Sequence, residues 1–174
     1  MLKVGEKVLY GAAGACTITE ICKRQFGDAG EREYYVLVPI HDSRSTLYVP
    51  CDNEALRAKM KKLLSAEEIE ALIDSMPKEE PAWIEDEKQR QEQFKATLKS
   101  GDRREIMGMT KALYNHRKYV MSIGRKLHSC DEKVFREAEK LLCDEFAVVL
   151  GMKPAEVMPF IIHRLDARTA KVKW

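Results

Sequence analysis

The sequence predicts an α+β protein of two domains, a small five-stranded β unit followed by an all-α helical bundle. Two observations carry this. Residues 4–49 are rich in Val, Ile, Tyr and Thr in short runs, punctuated by glycines at 5, 11, 14, 27 and 30. From Ser65 onward the apolar residues recur at helical spacing between capping signals. A length of 174 residues accommodates two small domains, and the change of period divides them into 1–63 and 64–174.

Each element has its own local warrant. Lys7-Val8-Leu9-Tyr10, Cys16 to Ile21 and Glu33 to Val38 read as strands, with Gly11 to Gly14 a tight link and Phe26 to Gly30 a hairpin tip. Thr46-Leu47-Tyr48-Val49 is a fourth strand closed by Pro50, and Ala58 to Leu63 supplies a short fifth. Five short strands in so few residues favour a strongly bent sheet or barrel. Ser65-Ala66-Glu67-Glu68 is a capping box that opens a helix running to about Met76. Pro77 to Pro81 is a stiff linker, and a long polar helix is expected over about Ala82 to Lys99. Asp102 caps a helix carrying Ile106, Met109, Leu113 and Tyr114. Ser129 or Asp131 caps another, ended by Gly151, and Pro154 fits the first turn of a last one. The basic residues 163–174 read as a disordered tail.

Composition narrows the function classes. A 45% hydrophobic and 33% charged chain is that of a folded soluble protein, not a disordered one. No apolar run reaches the ~18 residues of a membrane span, and MLKVGEKVLY lacks the core of a signal peptide, so no membrane partner is expected. Five scattered cysteines, with no C-x-x-C pair, point to a reducing cytoplasm. The net charge of +2 conceals an uneven distribution. Residues 1–60 balance, residues 61–100 carry −3, and residues 101–174 carry +5.

Nothing in the sequence points to catalysis, a cofactor, a metal or a small-molecule substrate. The four histidines have no metal-ligand spacing with each other or with a cysteine. Nucleotide-binding glycine loops, G-x-S-x-G and H-E-x-x-H are all absent from the sequence. The acidic pairs Glu67-Glu68 and Glu79-Glu80 and the run Glu85-Asp86-Glu87 lie on polar segments that solvation explains.

The ordered set Lys3-Val4-Gly5, Val8, Tyr10, Gly14, the Glu33–Tyr35 strand and Val49-Pro50 resembles the CarD/CdnL family of bacterial transcription regulators. The same small module occurs at the RNA-polymerase-binding end of the transcription-repair coupling helicase. Glu79-Glu80-Pro81-Ala82-Trp83, Lys99-Ser100-Gly101-Asp102 and Asp131 through Glu145 extend the resemblance over roughly residues 1–152. It implies a Tudor-like, SH3-like barrel that binds the RNA polymerase β subunit. It also implies a helical domain making weak, sequence-independent contacts to promoter DNA near the upstream edge of the open bubble, with one Trp wedged in the minor groove. Two departures stand out: Gly11-Ala12-Ala13 replaces a Pro and His of the family, and an acidic run, Glu85-Asp86-Glu87, follows the Trp. That acidity makes weak DNA affinity, strengthened by tethering to polymerase, the expectation.

The candidate sites follow. For polymerase, Arg24 lies at the end of the second strand, and Leu47, Tyr48 and Val49 form a strand able to add to a partner sheet if its edge is open. For DNA, Trp83 is either a wedge at a distorted base step or a core residue of its own domain. Lys88 and Arg90 follow it. Between Glu105 and Asp131 there is no acid, while Lys111, Arg117, Lys118, Arg125 and Lys126 supply cations suited to phosphate contact. An ordinary solvated helix end explains the same residues. A rival reading, an interaction adaptor without DNA binding, stays open beside the regulator.

Overall fold

In the computed structural model, which describes residues 2–27, 30–76 and 82–171, five strands form one antiparallel sheet: β1 (Lys7–Tyr10), β2 (Ala15–Gln25), β3 (Glu31–Pro39), β4 (Leu47–Pro50) and β5 (Met60–Lys62). Their order is β4-β3-β2-β1-β5. The sheet does not close, with β4 and β5 at its two edges, so of the bent sheet and barrel expected, the hydrogen-bonded order is that of an open sheet. Bending comes from the long β2, whose register with β3 shifts between Ile18 and Glu20. Thr19, the extra residue, donates its hydroxyl to the Val36 carbonyl at 3.3 Å.

The alternation of side chains explains the burial. Val8, Cys16, Ile18, Tyr35, Leu37, Val49 and Met60 form the core of this unit. In β3, Tyr34 and Val36 face the other way and are also buried. Both faces of that strand are therefore covered. A 3-10 turn over Gly11–Ala13 links β1 to β2, ending at Gly14 with φ of 73°, a value that favours glycine. A short helix, α1 (Glu54–Arg57), stands between β4 and β5 and has no counterpart in the sequence reading. Four residues are too few for an apolar period, and only its Asn53 cap, accepting from the Leu56 amide at 3.1 Å, marks it.

The chain divides into two units at Leu64 and Ser65. In the second, α2 (Ala66–Ser75), α3 (Glu87–Ser100), α4 (Arg103–Ser122), α5 (Ser129–Leu150) and α6 (Pro154–Lys171) are the helices among the described residues. Ser65 and Glu68 complete the expected capping box, with bonds of 3.1 and 2.7 Å. Gly101, at φ 61°, ends α3 in the left-handed region, and Asp102 accepts from the Arg104 and Glu105 amides to start α4. Ile69, Ile73, Phe94, Leu113, Phe135, Leu142 and Phe146 supply much of the buried interior.

Three expectations change here. The polar helix begins at Glu87, not Ala82, because Asp86 caps it by accepting from the Gln89 amide at 2.8 Å. His128 is the residue before α5, while Asp131 turns into the interior instead of capping. The basic tail continues as helix through Lys171. The expected linker at 77–81 and the hairpin residues 28 and 29 lie outside the described residues. No single helix among the described residues is long and apolar enough to cross a membrane.

Candidate interaction surfaces

The first surface is the β4 edge of the sheet and its outer face. Cys51 donates its amide to Glu33 at 2.9 Å, which makes that pair a hydrogen-bonded one. In an antiparallel ladder such pairs alternate. Leu47 and Val49 therefore point their backbone groups at β3, and Tyr48 and Pro50 point theirs at the open edge. Proline at an outward position costs no ladder bond, which is where edge strands tolerate it. The side chains follow the opposite logic. Val49 is in the core and Leu47 packs against it, whereas Tyr48 lies on the outer face, 39% exposed.

Tyr48 is not alone there. The rings of Phe26 and Tyr48 are 5.0 Å apart, Phe26 meets Tyr34 edge-on at 5.1 Å, and Tyr34 and Tyr48 are 6.4 Å apart. This trio covers the outer side of β3 while leaving Phe26 and Tyr48 partly open to solvent. Arg24 shares the face. A hydrogen bond with Cys22 and the nearby Tyr48 hydroxyl raise its pKa, so it stays a fixed cation. The structure thus brings Arg24 and Tyr48 together, and it removes the Val49 side chain from any partner's reach.

The second surface surrounds Trp83. Residues 82–86 run outside any helix, and Arg90 in α3 holds them by donating to the carbonyls of Ile84 and Glu85 at 2.8 and 3.1 Å. The same guanidinium makes a two-pronged bond to Asp131 at 3.0 and 3.1 Å, joined by Gln91 at 2.7 Å. Arg90 is only 4% exposed. As a phosphate ligand it is therefore corrected: it is a buried brace for the segment that carries Trp83. Lys111 is corrected likewise, since it donates to the Met76 carbonyl at 2.7 Å and closes the end of α2.

Trp83 is half-buried. Its indole lies parallel to the His116 imidazole, 3.6 Å between centroids and 6° between planes. The Arg90 guanidinium carbon is 4.7 Å from its ring centroid, and Phe94 meets it at 6.3 Å. Burial and the Arg90 charge lower the His116 pKa, so the stacked imidazole is neutral at pH 7. Tyr119, 61% exposed, extends the aromatic row 6.2 Å beyond His116. An open groove of about 370 Å³ adjoins Trp83, with Phe94, Thr97, Gly108 and Met109 in its walls.

The expected basic strip is split. Ala112, His116 and Tyr119 follow one stripe of α4; Tyr114, Arg117, Lys118 and Met121 follow another. Arg117 lies 5.6 Å over the Phe135 ring and Lys118 5.7 Å from Tyr114, both away from Trp83. Arg125 and Lys126 are exposed beyond the end of α4, and Lys88 is exposed on α3.

Sequence reasoning did not assign Phe26, Tyr34, His116 or Tyr119 to a surface. Strand alternation, with the β2–β3 register known, is the signal that would have placed the first two. No local signal marks His116 as the partner of Trp83.

Among the described residues no group of three or more His, Cys, Asp or Glu side chains converges as a metal site, and all five cysteines are free thiols. The described residues thus offer an open sheet edge with an aromatic face in one unit and an aromatic row on a braced segment in the other. Residues 2–64 match the CarD-like/TRCF RID domain, so the N-terminal unit is a domain of that kind. The match ends where the first unit ends, so Trp83 and helices α2 to α6 lie beyond it. No curated protein matches the chain.

Proposed function

We propose that this chain is a bacterial, cytoplasmic transcription regulator that docks on the RNA polymerase β subunit and alters the stability of promoter open complexes. CarD-like/TRCF RID domains are RNA polymerase β-interacting domains, and a general role in polymerase interaction follows for residues 2–64. The carrying observation is that match together with the open β4 edge, where Tyr48 presents both backbone and ring. Arg24 adds charge on the same face.

DNA contact in this reading is weak and indifferent to sequence. Trp83, His116 and Tyr119 offer a stacking row, and Lys88, Arg125 and Lys126 are exposed cations of the original set that lie off the Arg117–Lys118 stripe. Stacking is worth about 1–3 kcal/mol per base, enough to shift an open-complex equilibrium about fivefold or more. Purified polymerase with several promoters tests this: the full chain changes open-complex lifetime, and Trp83→Ala loses most of that change. An unaltered lifetime on every promoter removes the regulator reading.

The adaptor without DNA binding has its own support. Arg90 and Lys111 are spent within the protein, and Glu85, Asp86, Glu87 and Glu92 stand exposed near Trp83. It predicts polymerase capture with no effect on promoter melting.

A further inference from the structure

The side of the helical unit formed by α4, α5 and α6 carries a crevice that neither the sheet edge nor the Trp83 row uses. Its volume is about 280 Å³, and Tyr114, Met121, Phe135, Met158 and Ile162 give it an apolar lining. Arg117 and Lys118 stand at its rim, and Glu139 is the acid in its wall. Met121 is 60% exposed, an unbranched apolar side chain left in solvent at the mouth.

Size, composition and charge choose the occupant. Small-molecule pockets run from about 300 to 1,000 Å³, and an apolar cavity of about 150 Å³ already takes a benzene ring. A space of this size suits one large apolar side chain with its flanking backbone. Tyr, Met and Arg, the residues around the mouth, are those enriched where proteins meet proteins. No acid occurs between Glu105 and Asp131, so Arg117, Lys118, Arg125 and Lys126 make this end of α4 positive. Glu139 is the one acid in the lining against Arg117 and Lys118, so the mouth keeps a net positive charge.

We propose that this crevice docks an acidic polypeptide segment of a partner protein. The segment places one large apolar side chain beside Met121, and its carboxylates meet Arg117 and Lys118. The site lies on a different stripe of α4 from His116 and Tyr119, so it can be filled while the Trp83 row is engaged.

The test uses the full chain and a fluorescent Glu/Ala peptide carrying Leu at i, i+3 and i+4, followed by anisotropy. Saturable binding is expected, lost when the leucines become serines. Met121→Glu and Lys118→Glu each weaken it about tenfold, the scale of an interface anchor. Tyr119→Ser, on the other stripe, leaves it unchanged. Using both the Met121 and the Lys118 variants, each checked by circular dichroism, separates a lost site from a lost fold. Absence of saturable binding, or indifference to the leucines or to both crevice variants, overturns the proposal. So does tighter competition by decanoate or by a short DNA duplex, which would reassign the crevice to a fatty acid or to nucleic acid.

Discussion

Trp83 and His116 stack as parallel rings 3.6 Å apart, from a non-helical segment and from the middle of α4. The imidazole is neutral because burial and Arg90 disfavour its charged form. Its folded pKa lies below the ordinary value of about 6.5. Between those two values the unfolded chain binds the extra proton, so this contribution to stability is full above about pH 6.5 and declines as pH falls toward the folded value. Thermal unfolding at pH 7 and pH 5 should show a larger loss for the native chain than for His116→Gln. Equal losses would separate the stack from the titration.

The Arg90–Asp131 pair gives a second expectation. Both side chains are buried, so removing one partner strands a charge and costs about 3–5 kcal/mol. Asp131→Ala should therefore lower the urea midpoint of the helical signal strongly. The double variant Arg90→Met, Asp131→Leu should recover much of that stability while releasing the Trp83 segment, because the carbonyls of Ile84 and Glu85 lose their donor. Tryptophan fluorescence in a Trp174→Phe background reads the release.

On the β4 edge, neighbouring residues should behave differently. Tyr48→Asp leaves the sheet folded and abolishes co-purification with polymerase, since its ring and backbone face outward. Val49→Ala costs about 1.5–3 kcal/mol of stability and leaves docking intact once the domain is folded, because its side chain is in the core. Normal polymerase binding by Tyr48→Asp would remove this edge as the interface.

Salt offers a measure of the DNA contact. The exposed cations off the Arg117–Lys118 stripe, Lys88, Arg125 and Lys126, set a slope of log affinity against log salt between about −1 and −3. Arg117→Gln should leave the slope unchanged, since Arg117 sits over Phe135 on the other stripe of α4. A much steeper dependence would return that residue to the phosphate contacts.

Thiol chemistry distinguishes the cysteines. Burial pushes the Cys143 thiol up to about 11, aided by Glu139 and Asp144. At pH 8 almost none of it is thiolate, so Cys143 should react with a disulfide reagent far more slowly than a free thiol in the denatured chain. Rapid labelling of Cys143 in the folded protein would contradict its burial.

Most of the fold was legible because its signals are local. A β-branched run between glycines, a Ser65–Glu68 capping box, and Gly101-Asp102 between two helices act within a few residues, and the chain determines them by itself. The same holds for the acid-free stretch that begins in α4. What needed tertiary structure is every relationship across distance. The sheet's openness depends on whether β4 and β5 meet, which strand propensity does not encode. Arg90 and Lys88 are both cations on one polar helix, yet Asp131, 41 residues on, draws Arg90 inside and leaves Lys88 in water. Helical spacing is likewise silent on which neighbours pack against α4, and those neighbours separate Arg117 and Lys118 from Trp83. The physical reason is common to all three: capping and alternation are short-range, whereas the fate of a charge or an edge is decided by the groups that packing brings to it.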